Sequence, residues 1–230
     1  MFLFKQFLLL SACATSIKLV TPKCKNSYVV TCESIHDVRF DDNRFFWREL
    51  LIQPSNESYK YTLTRKIFKD LGLVRLKRLS IVRQVEKVHS FLFVRDMSSL
   101  SDLTLYGNNL TTIRKNALEN ISLKSVHLKK NNVRRIRRFG FSSCSFYEVD
   151  LSYNNLNGLS TDSFYRCRIV KLVIKHNSLS NIRNYSLPVS LNFLNLDYNK
   201  FETFTLGAQH AFTIIQLSLS HNKLKHLNID

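Results

Sequence analysis

Residues that could contact a ligand recur in this 230-residue chain at intervals of 22 or 23 positions. Tyrosine and histidine carry flat amphipathic rings with few rotatable bonds, which favours them in binding surfaces. Lysines and carboxylates lie at neighbouring positions of the same series. The candidate partner-binding residues are Tyr106, His127, Lys129, Lys130, Asp150, Tyr153, Lys175, His176, Asp197, Tyr198 and His221. The alternative is an ordinary solvated face with no selected ligand, because any protein surface must be polar somewhere.

The same residues do not form a catalytic pattern. The sequence contains no Gly-rich phosphate loop, no H-E-x-x-H and no G-x-S-x-G motif. The carboxylates Asp150 and Asp197 lie two repeats apart on an open surface rather than in a water-excluded cleft. We therefore expect a binding protein that is not an enzyme and that uses no cofactor and no metal.

A second basic feature is the run VRRIRRF at 133–139, which contains Arg134, Arg135, Arg137 and Arg138. Ile136 is expected to face the core, so the four arginines should fan over the outer edge. Such a run can bind heparin-like glycans or nucleic acid, and the alternative is a solvated charged edge. The whole chain has 34 Lys+Arg against 17 Asp+Glu, a formal charge of +17, which predicts attraction to acidic partners.

The elements that position these residues follow from an internal repeat. Six copies read apolar-x-apolar-x-x-Asn-x-apolar-x-x-apolar, at 103–113, 126–136, 149–159, 172–182, 194–204 and 217–227. The alternating apolar residues predict a short strand with an inward face. The asparagine lies where the chain leaves that strand. Its amide can form hydrogen bonds with backbone groups of its own repeat and of the neighbouring repeat, each repeat being one coil of the chain. The asparagines, Asn108, Asn131, Asn154, Asn177, Asn199 and Asn222, are thus predicted to form a hydrogen-bonded ladder.

This pattern resembles the leucine-rich repeat family, of the roughly 23-residue kind found in extracellular animal proteins. The resemblance implies an α/β-type solenoid shaped as a horseshoe, with a parallel sheet on its concave face and an irregular or short helical convex side. Two divergent copies, at 75–88 with Gln84 in the asparagine position and at 47–56, extend the repeats over 47–230. The exposed strand positions of the concave face would then carry the candidate partner-binding residues.

Cysteines mark two further places in the repeat frame. Cys144 and Cys167 are one repeat apart, so they occupy equivalent positions in adjacent coils, close enough for a disulfide. The alternative is a pair of buried free thiols. By resemblance to extracellular members of the family, residues 15–46 look like an N-terminal cap, reduced to Cys24 and Cys32. All four are candidate disulfide cysteines.

The first residues predict export. Residues 1–14, MFLFKQFLLLSACA, have one lysine, an apolar stretch and a small-x-small site, as in a signal peptide, although a buried N-terminal strand is the alternative. Nothing downstream approaches the length of a membrane span. We expect a secreted, extracellular glycoprotein with acceptor sequons at Asn56, Asn109, Asn120 and Asn184.

The expected function is recognition of a protein or glycan, with acidic ligands favoured and nucleic acid disfavoured. The resemblance to Toll-type ectodomains and short insect immune proteins implies innate immunity or cell-surface signalling. The alternative is a matrix protein that binds anionic glycans through its basic surface. The last repeat ends at Asp230 without a C-terminal cap, so homo- or hetero-association through this edge is expected, unless a few unusual residues suffice or the chain is a truncated copy.

Overall fold

The structure is a computed structural model, and it describes residues 29–32, 49–53, 61–63, 76–83, 85–88, 99–206 and 213–229. The strands of these residues are β1 (Val29–Cys32), β2 (Glu49–Ile52), β3 (Tyr61–Leu63), β4 (Arg78–Val82), β5 (Val85–Val88), β6 (Asp102–Tyr106), β7 (Thr112–Ile113), β8 (Leu118–Glu119), β9 (Ser122–His127), β10 (Arg135–Ile136), β11 (Phe141–Ser142), β12 (Ser145–Asp150), β13 (Phe164–Tyr165), β14 (Arg168–Val173), β15 (Phe193–Asn195), β16 (Thr203–Leu206), β17 (Gln216–Ser218) and β18 (His226–Ile229).

The main sheet contains nine parallel strands in the order β1-β2-β4-β6-β9-β12-β14-β15-β17. Its register follows the sequence repeat, because Val126 pairs with Val149, Val149 with Leu172, and Leu172 with Leu194. Each coil therefore adds one strand beside the previous strand. The architecture is a parallel β-solenoid, as the repeat predicts.

The chain returns between main-sheet strands through much shorter strands. β7 pairs with β10, and β8, β11 and β13 form a three-stranded ladder, all parallel. Further pairs join β16 to β18 and β3 to β5. The described residues contain no helix, so the short convex helices allowed by the sequence analysis are absent from this part of the chain. In these connecting segments the backbone N–H and C=O groups pair with those of the neighbouring coil. In a helix, the same groups would pair within one segment.

The core lies between the main sheet and the segments that connect its successive strands, which we call the returns. The inward strand residues, such as Val149, Leu151 and Leu172, are fully buried. Phenylalanines fill the space under the returns: the Phe141 and Phe164 rings stack at 4.8 Å between centroids. Because each coil presents its apolar edge to the next coil, burial depends on stacking rather than on any single repeat.

The predicted asparagine ladder is confirmed. The Asn154 amide nitrogen donates to the carbonyl oxygens of Leu128, Leu151 and Ser152 at 3.0, 2.9 and 3.2 Å. Its amide oxygen accepts from the backbone N–H of Val133 at 3.0 Å. Equivalent bonds recur at the Asn131, Asn177 and Asn199 amides. Each amide thereby pairs backbone groups of two coils that would otherwise be buried without partners.

A disulfide joins Cys144 to Cys167, whose Cα atoms are 4.6 Å apart. Both side chains are buried under the returns of neighbouring coils. Cys24 lies outside the described residues, so the cap disulfide with Cys32 stays a prediction. The same holds for the signal peptide at 1–14 and for Gln84.

The two ends of the described solenoid differ. β1, within the predicted cap, pairs with β2 in parallel and so continues the main sheet. At the other end Leu217, Leu219 and Leu224 are only partly buried, and Leu227 is 56% exposed. The predicted association through this edge stays a prediction.

Candidate functional site

Four of the predicted contact residues form one column, which we call the ring column: Tyr153, His176, Tyr198 and His221. The structure places each of them in a turn, three residues after the last residue of its main-sheet strand, and not at the exposed strand position expected from the sequence. All four have positive φ, between 53° and 55°. This left-handed conformation is uncommon for residues other than glycine. It turns the chain away from the sheet at the same point in every coil.

Backbone hydrogen bonds between coils hold the column in this conformation. The N–H of Tyr153 donates to the carbonyl of Lys175 at 3.0 Å, and the N–H of His176 donates to that of Asp197 at 3.0 Å. The same column continues upstream through Arg83, Gly107 and Lys130, which also have positive φ. Because every coil repeats the turn, the side chains are brought into register at the spacing of the strands.

The rings of the column stack on one another. Centroids are 4.2 Å apart for Tyr153 and His176, 4.1 Å for His176 and Tyr198, and 4.1 Å for Tyr198 and His221. The interplanar angles are 15°, 10° and 10°. Tyr153 and Tyr198 remain 39% and 44% exposed. The result is a continuous row of four rings with their edges towards solvent.

Cations gather at one end of the row. The Lys129 ammonium lies 5.2 Å from the Tyr153 ring centroid, and the Lys130 ammonium lies 5.4 Å from that of Tyr106 and 6.0 Å from that of Tyr153. A hydrogen bond with Lys130 is the main cause that lowers the pKa of the Tyr106 phenol, and the charges of Lys130, Lys129 and Arg83 act in the same direction. This end of the column is therefore an electropositive, aromatic surface.

The two predicted carboxylates serve the fold. Asp150 accepts a hydrogen bond from the backbone N–H of Ser152 at 2.8 Å and one from its hydroxyl. Asp197 accepts from the Ser218 hydroxyl at 2.6 Å and from the Ser220 N–H at 2.7 Å. These bonds hold the end of the strand in place. Asp150 and Asp197 are thus less available to a partner than the sequence suggested.

Two other predicted residues stand beside the column. His127 is the last residue of β9 and is partly exposed on the outer face of the main sheet. Lys175 is half-buried directly before His176, and its carbonyl holds the Tyr153 turn.

A second column of side chains, which the sequence analysis did not predict, lies towards the start of the main-sheet strands, whereas the ring column follows their ends. Arg78 lies 2.8 Å from a carboxylate oxygen of Glu49 and 4.0 Å from one of Asp102. Two coils beyond Asp102, Glu148 pairs with Lys171 of the next coil at 3.1 Å. These residues directly precede the first of the two alternating apolar residues of the repeat, such as Leu79, Val149 and Leu172, so the period of two could have placed them on the same outer face. The charges of this column pair with one another, whereas the lysines beside the ring column have no carboxylate partner among the described residues.

The four arginines of the basic run lie on the return, where all are exposed and Ile136 is fully buried, as predicted. Arg138 pairs with Asp162 at 3.0 Å. The run is thus on a different part of the coil from the ring column.

The sequons have different surroundings. Asn120 and Asn184 are exposed on the returns. Asn109 is partly exposed, and its side-chain oxygen accepts a hydrogen bond from Asn132 at 2.6 Å. Asn56 lies outside the described residues. Glycosylation at all four stays a prediction.

The part of the chain that the structure describes has neither a metal-binding cluster nor a membrane-spanning helix. No three His, Cys, Asp or Glu residues converge there as metal ligands would. Among the same residues, no helix is long and apolar enough to cross a membrane.

Comparison with known proteins identifies the repeat. No curated protein matches this chain. Chains of solved structures do match, and one is the plant peptide hormone receptor RGFR1 in complex with RGF2. That match has 16% sequence identity and a TM-score of 0.31, and it covers 80% of this chain and 40% of the receptor chain. The model of the BspA type leucine rich repeat region matches residues 62–194 in 6 copies. On that match, the chain belongs to the BspA-type leucine-rich repeat family.

Proposed function

We propose that this protein is a non-enzymatic binding module that recognises a protein partner through the ring column and the lysines at its upstream end. The observation that carries the proposal is the row of four stacked, partly exposed rings. Rings that are already stacked lose little conformational freedom on binding, so more of the contact energy is kept. Repeat proteins of this kind bind partners through extended surfaces rather than in enclosed clefts.

Charge supports an acidic partner. In the described residues, Lys129, Lys130 and Lys175 make no ion pair with a carboxylate. An acidic segment that contacted these lysines would gain charge-assisted hydrogen bonds, and their positive charge would steer it to the ring column. Secretion, and a role in innate immunity or cell-surface signalling, belong to the same proposal and rest on the N-terminal residues and the family resemblance.

The test compares two pairs of tyrosines. Tyr153→Ala with Tyr198→Ala removes half the ring column, whereas Tyr147→Ala with Tyr185→Ala removes two tyrosines that are 57% and 66% exposed and lie outside it. Both variants and the wild type are used as baits in the native fluid, and the bound proteins are quantified by mass spectrometry. Truncation of a central aromatic contact costs about 2 kcal/mol or more, so we expect the ring-column variant to lose its partner by about 30-fold.

Stability must be controlled, because the first variant also removes three stacked pairs worth about 0.5–1.5 kcal/mol each. Binding is therefore measured well below the melting temperature of every variant. Tyr153→Phe with Tyr198→Phe keeps the stacks and should keep most of the binding. Equal retention of partners by both alanine variants would refute the assignment of the site.

A further inference from the structure

We propose that the return side of the solenoid carries a second site, which binds a sulfated polysaccharide chain. We call this surface the arginine face, and it consists of Arg114, Lys115, Arg134, Arg135, Arg137 and Arg138. The proposal does not depend on the ring column, which lies in a different turn of the coil.

Coil register brings the cations of two neighbouring returns together. β7 pairs with β10 so that Thr112 stands beside Arg135 and Ile113 beside Ile136. The residues that follow are therefore also neighbours, Arg114 with Arg137 and then Lys115 with Arg138. All six cations are exposed, while Ile113 and Ile136 are buried and anchor the backbone beneath them.

Aromatic rings hold part of this surface in place. The Phe139 ring, half-buried in a turn with positive φ, has the Lys115 ammonium 5.7 Å and the Arg138 guanidinium 4.6 Å from its centroid. The Tyr165 ring packs edge-on against it at 4.9 Å. Arg138 is further fixed by Asp162 at 3.0 Å. Cations from two coils are thus held over one ring rather than left to spread.

The charge of the surface is uncompensated. The three returns at 109–122, 132–145 and 155–168 contain eight Lys+Arg and two Asp+Glu, a difference of +6. One of those two acids is Asp162, already paired with Arg138. Among the residues that the structure describes, the other five cations of the arginine face have no ion pair. Like charges on neighbouring strands repel one another, and a bound polyanion would relieve that repulsion.

The rings favour a sulfated glycan over a nucleic acid. Proteins that bind single-stranded nucleic acid offer ring faces on which bases stack. On this surface the Phe139 ring has two cations over it, and the Arg166 guanidinium lies 5.1 Å from the Tyr165 centroid. Tyr165 keeps 37% of its surface exposed, but its ring already contacts Arg166 and Phe139. Most of the groups that this surface offers are therefore guanidinium and ammonium groups, which suit the sulfates and carboxylates of a linear polysaccharide.

The experiment uses heparin as the probe and two variants with the same loss of charge. Arg134→Gln with Arg135→Gln and Arg137→Gln removes three charges from the arginine face and leaves Arg138, which packs on Phe139, untouched. Lys124→Gln with Lys200→Gln and Lys223→Gln removes three charges of exposed lysines that belong neither to the arginine face nor to the ring column and its lysines. Affinity for immobilised heparin is measured for the full chain at several salt concentrations, and circular dichroism confirms that the variants are folded.

We expect the arginine variant to lose about 10- to 100-fold in heparin affinity near physiological salt and to show a shallower salt dependence. The lysine variant should lose less than about threefold, since its charges lie outside the proposed site. Equal losses in the two variants would mean that only net charge matters and would overturn the site, as would no loss in either. If an oligo(dT) strand of matched charge competes as well as heparin and depends on the same arginines, the assignment to a glycan is wrong.

Discussion

Replacement of Asn154 by alanine should destabilise the solenoid far more than the same change at the next residue. The Asn154 side chain makes four hydrogen bonds, and two of them reach the preceding coil, at the Leu128 carbonyl and the Val133 N–H. Leu128 and Val133 are fully buried, so water cannot easily replace the lost amide. Asn155 is exposed, and its amide makes one bond, to Asn132 at 3.3 Å.

The magnitude follows from those bonds. A neutral hydrogen bond contributes about 1 kcal/mol net, and a buried group left without a partner costs about 1–3 kcal/mol. Asn154→Ala should therefore lower the free energy of unfolding by about 3 kcal/mol, or the melting temperature by roughly 6–12 °C in a chain of this size. Asn155→Ala should change the free energy of unfolding by less than about 0.5 kcal/mol.

The assay is urea unfolding followed by far-UV circular dichroism, with the slope against urea compared between variants. Asn154→Asp is a sharper probe, because it keeps the shape but its carboxylate cannot donate to the three carbonyl oxygens. We expect it to be at least as unstable as Asn154→Ala at pH 7. Near-native stability of the aspartate variant, or equal effects at Asn154 and Asn155, would refute the ladder argument.

Three other outcomes follow from single sites. Peptide mapping under non-reducing conditions should recover Cys144 linked to Cys167, and free thiols at both positions would contradict this. Replacing both by alanine should lower the free energy of unfolding by about 3 kcal/mol, because the bond closes a loop with a sequence separation of 23. Because Lys130 lowers the pKa of the Tyr106 phenol, that tyrosine should ionise at lower pH than an ordinary tyrosine. Lys130→Gln should move the early phase of the ultraviolet absorbance titration to higher pH, and a phase that persists in Tyr106→Phe would show that another tyrosine is responsible. Expressed in a eukaryotic secretory host, the protein should carry a glycan at the exposed Asn120, so Asn120→Gln should lower its mass by that of the glycan. A mass that rises only by the methylene group that glutamine adds would exclude the glycan.

Much of the fold could be predicted from the spacing of a few residue types. A buried asparagine every 22 or 23 residues sets the length of a coil, because its amide can bond only to backbone groups at one point of the turn. The alternation of residues such as Val149 and Leu151 sets which face of the strand is inward. The disulfide position followed from the same period, since Cys144 and Cys167 are one coil apart.

The sequence could not assign the returns or the charge pairs in the same way. A return strand of two residues, such as Arg135–Ile136, is stabilised by its partner in the next coil and leaves almost no local pattern. Pairs such as Arg138 with Asp162 depend on the direction of each side chain, which backbone dihedrals set. The absence of helix in the described returns is therefore a property of the stacked coils.

The sequence by itself determined that Tyr153, His176, Tyr198 and His221 share one position of the repeat, because equal spacing in a solenoid means equal place in the coil. Only the tertiary structure decided that this place is a left-handed turn rather than a strand, and that its rings stack at 4.1–4.2 Å. The physical reason is that the turn is held by hydrogen bonds from one coil to the next, such as that from Tyr153 to Lys175. Ring stacking likewise exists only between coils, so no single repeat encodes it.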